Sequence, residues 1–373
     1  MTSSAAESSD SREMVDWDLA VATATRLVRP GPTVSRDEAH QAVADLRELS
    51  VVAQGEVRRF TGLDASTASD GVAIIDRPGW VRVNVDGFRM LLHPLVDKLR
   101  ERQSNASQSL SGLTGAVGPK ITGVETGVLL AYLSSKVLGQ YELFGTNGDA
   151  TPGRLLLVAP NIVHAEQEMG VDSRDFRLWV CIHEETHRTQ FGAVPWLREH
   201  LISEIQAFLG ATEVDPSALA RRLRDALGVV TESVRGEGDR SLLDVVQTDE
   251  QREILDRLTA VMSLLEGHAD YVMDGVGPEV IPSVADIRRR FQKRRRQGAN
   301  PLDQVIRRLL GVEAKIRQYA DGVTFVRGVV DEVGMDGFNR VWGSPRTLPS
   351  REEIADPQSW VRRVVTDPPA LPA

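Results

Sequence analysis

The 373-residue chain is short of cysteine, of aromatic side chains and of net positive charge. Cys181 is the sole cysteine, so no internal disulfide can form, and a reducing compartment fits. A formal net charge of −9 argues against general nucleic-acid binding, which runs on an excess of lysine and arginine. No uninterrupted apolar run reaches the length of a membrane span, so no membrane segment is expected. Met1 to Arg12 is rich in serine, alanine and acids and lacks the apolar centre of a secretory signal. Residues 1–16 read as a disordered tail. What remains is a soluble globular protein, 41% hydrophobic and 26% charged, expected in the cytoplasm. Its length suits one large domain or two modest ones.

What the chain does have is Cys181-Ile182-His183-Glu184-Glu185-Thr186-His187-Arg188, which contains His-Glu-x-x-His. On an α-helix, residues four apart stand one turn above each other, so His183 and His187 can present two imidazoles to one ion. Zinc takes neutral histidine nitrogens readily, and a catalytic zinc needs three protein ligands and a water. Glu184, beside the first histidine, can take a proton from that water. Asp172 or Ser173 can cap a helix here after Gly170, and Gly192 with Pro195 can end it. Phe176, Val180, His183, His187 and Phe191 recur at spacings of three and four, which puts both histidines on the inward stripe. Cys181 lies about 200° around this helix from His183, so its place suits packing better than ligation.

The third ligand must come from elsewhere. The longer zincin pattern would require a glycine and a third histidine where this chain has Gln190 and Ala193, which excludes the metzincin arrangement. Leu264-Leu265-Glu266-Gly267-His268-Ala269-Asp270-Tyr271 offers candidates. Leu255, Leu258 and Met262 mark an apolar stripe that Glu266, Ala269 and Met273 continue. A carboxylate on such a stripe is costly unless it is paired or bound to metal, which favours Glu266. His268, about 200° further round the helix, is the weaker alternative ligand. Asp270, one turn after Glu266, can accept a hydrogen bond from the distal nitrogen of a liganding histidine. A buried salt bridge to arginine is the competing reading of Glu266 and Asp270.

His183-Glu184-x-x-His187 followed far downstream by Glu266-x-x-x-Asp270 resembles the glutamate-ligand zincins. The wording HEETHRTQF with LEGHADYVMD looks like the actinobacterial zincin-like metallopeptidase type 2 family. Members of that family are often labelled as hydrolases or as associated with biosynthesis of a deazaflavin coenzyme. The resemblance extends over nearly the whole chain after the first sixteen residues and implies a zinc-dependent hydrolase fold.

Elsewhere the signals are structural. Asp16 can cap a helix through Leu27, and a longer helix from about Ser35 to Phe60 would bury Ala39, Val43, Leu46, Val51 and Val52. Val72 to Asp76 and Trp80 to Val85 read as a weak hairpin. Gln140 to Phe144 and Arg154 to Val158 read as two strands, the second of which the zincin resemblance would place at the cleft, open to an extended peptide. The glycines between Gly112 and Gly127 match no phosphate-loop fingerprint and suit a hinge or close helix packing. Further helical pieces are expected at Ala218–Leu227 and Leu242–Gln247. Arg288 to Arg296 carries seven positive charges in nine residues, read as a solvated face or a rim that attracts acidic substrate. Tyr271, or Tyr319 in a helix running from Leu302 to Val330, could stabilise the oxyanion formed during carbonyl attack.

The expected architecture is mainly α with a small β-sheet, an α+β zincin-like fold in two lobes with the active-site cleft between them. Residues 17–200 would form the lobe with the sheet and both histidines. Residues 201–373 would supply the third ligand and a proline-rich C-terminal arm. The expected function is zinc-dependent hydrolysis of a peptide or small amide, with Glu184 as general base. The alternative is a non-catalytic zinc protein that serves as a binding or biosynthetic accessory module.

Overall fold

A computed structural model describes residues 15–65, 71–90, 114–143, 153–211, 248–297 and 312–366. The expected helical pieces at 218–227 and 242–247 lie outside these residues, as do most of the first sixteen. The chain is mostly helical with one small mixed sheet, in agreement with the sequence.

Helices α1 (Trp17–Leu27) and α2 (Arg36–Thr61) start where their caps dictate. Asp16 accepts a hydrogen bond from the Leu19 amide, and Ser35 forms a reciprocal capping box with Glu38. The buried face of α2 is Ala42, Leu46, Leu49, Ala53 and Val57, at helical spacing. Val51 and Val52 face solvent, contrary to the expected stripe, because the true stripe uses small and polar residues such as Asp45 and Ser50.

Strand β1 (Ala73–Ile75) does not enter a hairpin. Residues 77–90 form helix α3 instead. Asp76 caps it through the Gly79 amide, and Pro78 occupies its first turn, where no amide donor is needed. Trp80, Val81 and Val85 are buried on one side of it.

Helix α4 (Thr114–Ser134) packs on α1 so closely that a Cβ at Gly123 or Gly127 would strike α1 or its cap. These two glycines therefore serve helix packing. Strands β2 (Gly139–Tyr141) and β3 (Leu155–Val158) complete the sheet, in order β1-β3-β2. β3 runs parallel to β1, with Ile74 opposite Leu157, and antiparallel to β2, with Gly139 opposite Leu157. All four β3 residues are buried, which accounts for their unbroken apolar run. β3 is thus partnered on both sides, and the two edges of the sheet belong to β1 and β2.

Helices α5 (Ala159–Met169), α6 (Ser173–Ala193) and α7 (Pro195–Gly210) follow without long loops. α8 (Asp249–Gly275), α9 (Val284–Gln297) and α10 (Val312–Phe338) come next, and short helical turns around Pro345 and Pro357 close the described chain. One core joins α2, β3, α5, α6, α9 and the end of α8, where Phe176 and Ile182 are fully buried. Burial of such a side chain contributes about 2 kcal/mol. A second core joins α7, the middle of α8, α10 and the C-terminal turns around Trp360. α8 belongs to both cores, and the residues that matter most lie where it crosses α6.

Candidate metal centre

Asp172 caps α6 by accepting from the Asp175 amide, and the helix carries Phe176 and Val180 into the core. His183 and His187 follow on the same side, half-buried. Their Nε2 atoms are 3.3 Å apart with the rings nearly perpendicular, at 88°. Glu266 on α8 faces this pair, with Oε2 3.7 Å from His183 Nε2 and Oε1 3.9 Å from His187 Nε2. A tetrahedral zinc with bonds of about 2.0–2.1 Å separates its ligand atoms by roughly 3.3 Å. The three side chains offer ligand atoms that all lie within 4.8 Å of one another, so they fit such an ion.

The atoms behind the ligands are also arranged. Asp270, one turn along α8, places Oδ1 3.6 Å from His183 Nδ1. Gln190 places Oε1 2.9 Å from His187 Nδ1. His268 is fully buried and turned away from the three ligands. Its Nδ1 is 3.0 Å from Gln190 Nε2, and its ring stacks on Phe338 with centroids 5.2 Å apart. Burial, then the proximity of His187, lowers its pKa to about 3.

Glu184 is buried beside the histidines, and burial, then the charge of Glu266, raises its pKa to about 8. The backbone of β2 passes close beside it: a Cβ at Gly139 would lie 2.5 Å from the Glu184 carboxyl carbon. Glycine is required there for close approach rather than for conformation. Replacing Gly139 by alanine is expected to displace the carboxyl, cutting any activity that depends on Glu184 by about 10²-fold or more while leaving metal binding intact. Zinc titration beside an activity assay checks this, and unchanged activity would remove Gly139 from the site. Glu185 points elsewhere, is buried against Arg188 at 2.7 Å, and has a pKa raised by burial to about 7.

Cys181 packs near Ser50 Oγ at 3.7 Å, and burial raises its thiol pKa to about 12, so it behaves as a small apolar residue. Tyr271 rests on Phe60, ring centroids 5.9 Å apart, about 140° around α8 from Glu266. Tyr319 falls on α10 in a stretch whose side chains lie outside those described. Within the basic run, Arg288 pairs with Asp274 at 3.0 Å, Arg290 with Asp286 at 2.8 Å and Arg294 with Glu168 at 2.7 Å. Arg289 also pairs with Asp286. These four arginines are matched to acids of the same protein.

Gly139 and Gln190 escape a reading by motif. Gln190 is visible in the sequence only as the residue that breaks the longer zincin pattern. Its inward position, three residues after His187, is the signal that could have marked it.

A profile of the zincin-like metallopeptidase family matches residues 15–361. The chain belongs to that family. Family membership implies zinc, in keeping with the His-His-Glu group. The chain is also similar to a crystal structure described as a proposed hydrolase with a novel fold, from Chloroflexus aurantiacus. The two are 29% identical with a TM-score of 0.65, over 93% of this chain and 97% of that one. No functionally curated protein matches. Among the described residues of this family member, no helix is long and apolar enough to cross a membrane.

Proposed function

We propose that this family member is a zinc-dependent hydrolase that cleaves amide bonds. The observation that carries the reading is a buried carboxylate, Glu184, next to three side chains that fit one zinc ion. His183, His187 and Glu266 would hold the ion. When bound, zinc supplies a Lewis acid that polarises a carbonyl and lowers the pKa of a water ligand. Glu184 takes the proton from the attacking water and delivers it to the leaving nitrogen. A base is superfluous in a structural zinc site, and this weighs against a purely binding role. A peptide, or a small metabolite with an amide, is the substrate class this chemistry suits.

An extended substrate would pair with β2 and not with β3, whose two sides are occupied. Leu138 accepts from the Val158 amide and Glu142 donates to Arg154, so the backbone groups of Gly139 and Tyr141 turn to the open edge. Gly139 on that strand lies beside the Glu184 carboxyl.

Zinc content of the purified protein and hydrolysis of a mixed peptide library test the proposal together. One zinc with cleavage supports it; one zinc without cleavage moves the function toward binding. His187→Ala and Glu266→Ala are each expected to weaken zinc binding by about 10²-fold or more, since two ligands are left. Stoichiometric zinc in His187→Ala would sink the assignment.

A further inference from the structure

The hydrogen bonds behind His187 have only one consistent assignment. Gln190 is fully buried, and its Nε2 lies 2.9 Å from the backbone carbonyl of Leu265. A carbonyl can only accept, so the amide nitrogen, and not the amide oxygen, must face it. The second amide hydrogen then points at His268 Nδ1, 3.0 Å away, which must accept. The amide oxygen is left facing His187 Nδ1 at 2.9 Å, where it can only accept. His187 therefore carries its proton on Nδ1, and its Nε2 lone pair is turned toward His183 Nε2 and Glu266.

We propose that Gln190, with His268 behind it, is a positioning residue that locks His187 in its metal-ready tautomer. Zinc binds a neutral imidazole nitrogen, and the hydrogen bond at the far ring nitrogen decides which one is free. The two zinc histidines are then backed unequally. His183 faces the carboxylate of Asp270 at 3.6 Å, whereas His187 is backed by a neutral amide at 2.9 Å. The amide cannot rotate to mimic a carboxylate, because a flip would set its oxygen against Leu265 O and its NH₂ against the His187 proton. His268 takes up the amide's second hydrogen, and stacking on Phe338 with a tilted contact to Trp342 holds its ring in place. A buried histidine at the zinc site that is not a ligand thus has a defined task.

The ligand role of His187 rests on the proposed zinc function, but its tautomer does not, and the two are measured separately. Imidazole ¹⁵N NMR of the metal-free wild type should show His187 protonated on Nδ1; protonation on Nε2 would overturn the proposal. Gln190→Leu, of similar volume, should give a mixture of tautomers and bind zinc about 10- to 100-fold more weakly in competition with a chromogenic chelator. His268→Asn places an amide oxygen where Nδ1 stood and should retain zinc affinity close to wild type. His268→Leu, which lacks that acceptor, should lose about 10-fold. Equal affinities for the two His268 variants, each checked for a cooperative melt, would reduce His268 to packing and sink its part. Should Gln190→Leu fail to fold, the wild-type tautomer and the His268 pair still decide. A wild type that binds no zinc would overturn the metal reading, while the NMR result stands on its own.

Discussion

Glu184→Gln is expected to bind zinc as the wild type does, to lose about 10²- to 10⁴-fold in hydrolysis, and to make the metal-free protein more stable. The gain follows from burial. The carboxyl has a pKa of about 8 in the folded protein against 4.5 when unperturbed. Its folded pKa is raised, so below pH 4.5 both states are protonated and the charge costs nothing. Between pH 4.5 and 8 the unfolded chain releases its proton first, and stability falls as pH rises. Above pH 8 the penalty is complete, on the order of 5 kcal/mol for a shift of this size. Glutamine fills the same space without a charge and escapes this penalty. Glu185, raised to about 7, and Asp274, raised to about 6, add slopes of the same sign that the variant keeps. Denaturant melts of the two metal-free proteins at pH 5 and pH 8.5 check the prediction. The curves should nearly coincide at the lower pH and separate at the higher. Equal separation at both would mean that glutamine acts through packing and not through charge. Bound zinc reverses the local field, so the gap should narrow when the ion is present. A protein that accepts this penalty on one side chain is stabilised less than it could be, the kind of cost expected if Glu184 is the proposed base.

Much of this site is legible in the sequence, because its parts obey local rules. The cap at Asp172, the spacing of Phe176, Val180, His183 and His187, and the end near Pro195 define α6 with no tertiary information. Glu266 is legible as a carboxylate on an apolar stripe, and its choice over His268 follows from their angular separation on α8. What fails is what depends on neighbours. The face of α2 is misjudged because Val51 and Val52 outweigh alanines in any hydrophobic count, while the buried face takes the small Ala42 and Ala53 beside Leu46, Leu49 and Val57. Trp80 to Val85 alternates like a strand, yet Asp76 and Pro78 are helix-start signals that overrule the alternation. Gly139 is silent in the sequence because its role is to be absent, leaving room for a carboxyl 45 residues away in the chain. Gln190 is silent because two of its three partners, Leu265 and His268, lie on another helix, α8. The polar groups behind the ligands are therefore the least predictable part of the site, although they decide how it is held.

The crossing of α8 and α10 carries the largest expected loss of stability. Gly267 directly follows Glu266 and lies against Gly322 of α10, and a Cβ on either residue would overlap the other helix's backbone. At Gly322 the overlap is with the carbonyl of Ser263, an atom that cannot swing aside. Helix propensity alone predicts that Gly322→Ala stabilises by about 1 kcal/mol, because alanine loses less backbone freedom on folding. Overpacking predicts the opposite, a loss of about 3 kcal/mol or more, since two helices must separate along their shared core. The steric effect is the larger, so destabilisation is expected. Gly55→Ala in α2 is the control: nothing lies within 4 Å of its Cβ position, and it should stabilise by up to about 1 kcal/mol. Two chemically identical substitutions, each inside a helix, should thus move the melting transition in opposite directions. The same wedge reaches the metal centre. Pushing α8 from α10 shifts Glu266 relative to His183 and His187, which are held by α6, so Gly322→Ala should also weaken zinc binding in whatever fraction stays folded. Chemical melts with a parallel zinc titration read both effects. A Gly322→Ala protein as stable as wild type would show that the crossing can loosen without cost. One that is destabilised yet binds zinc normally would show that Glu266 is positioned by α6 and not by the packing behind it.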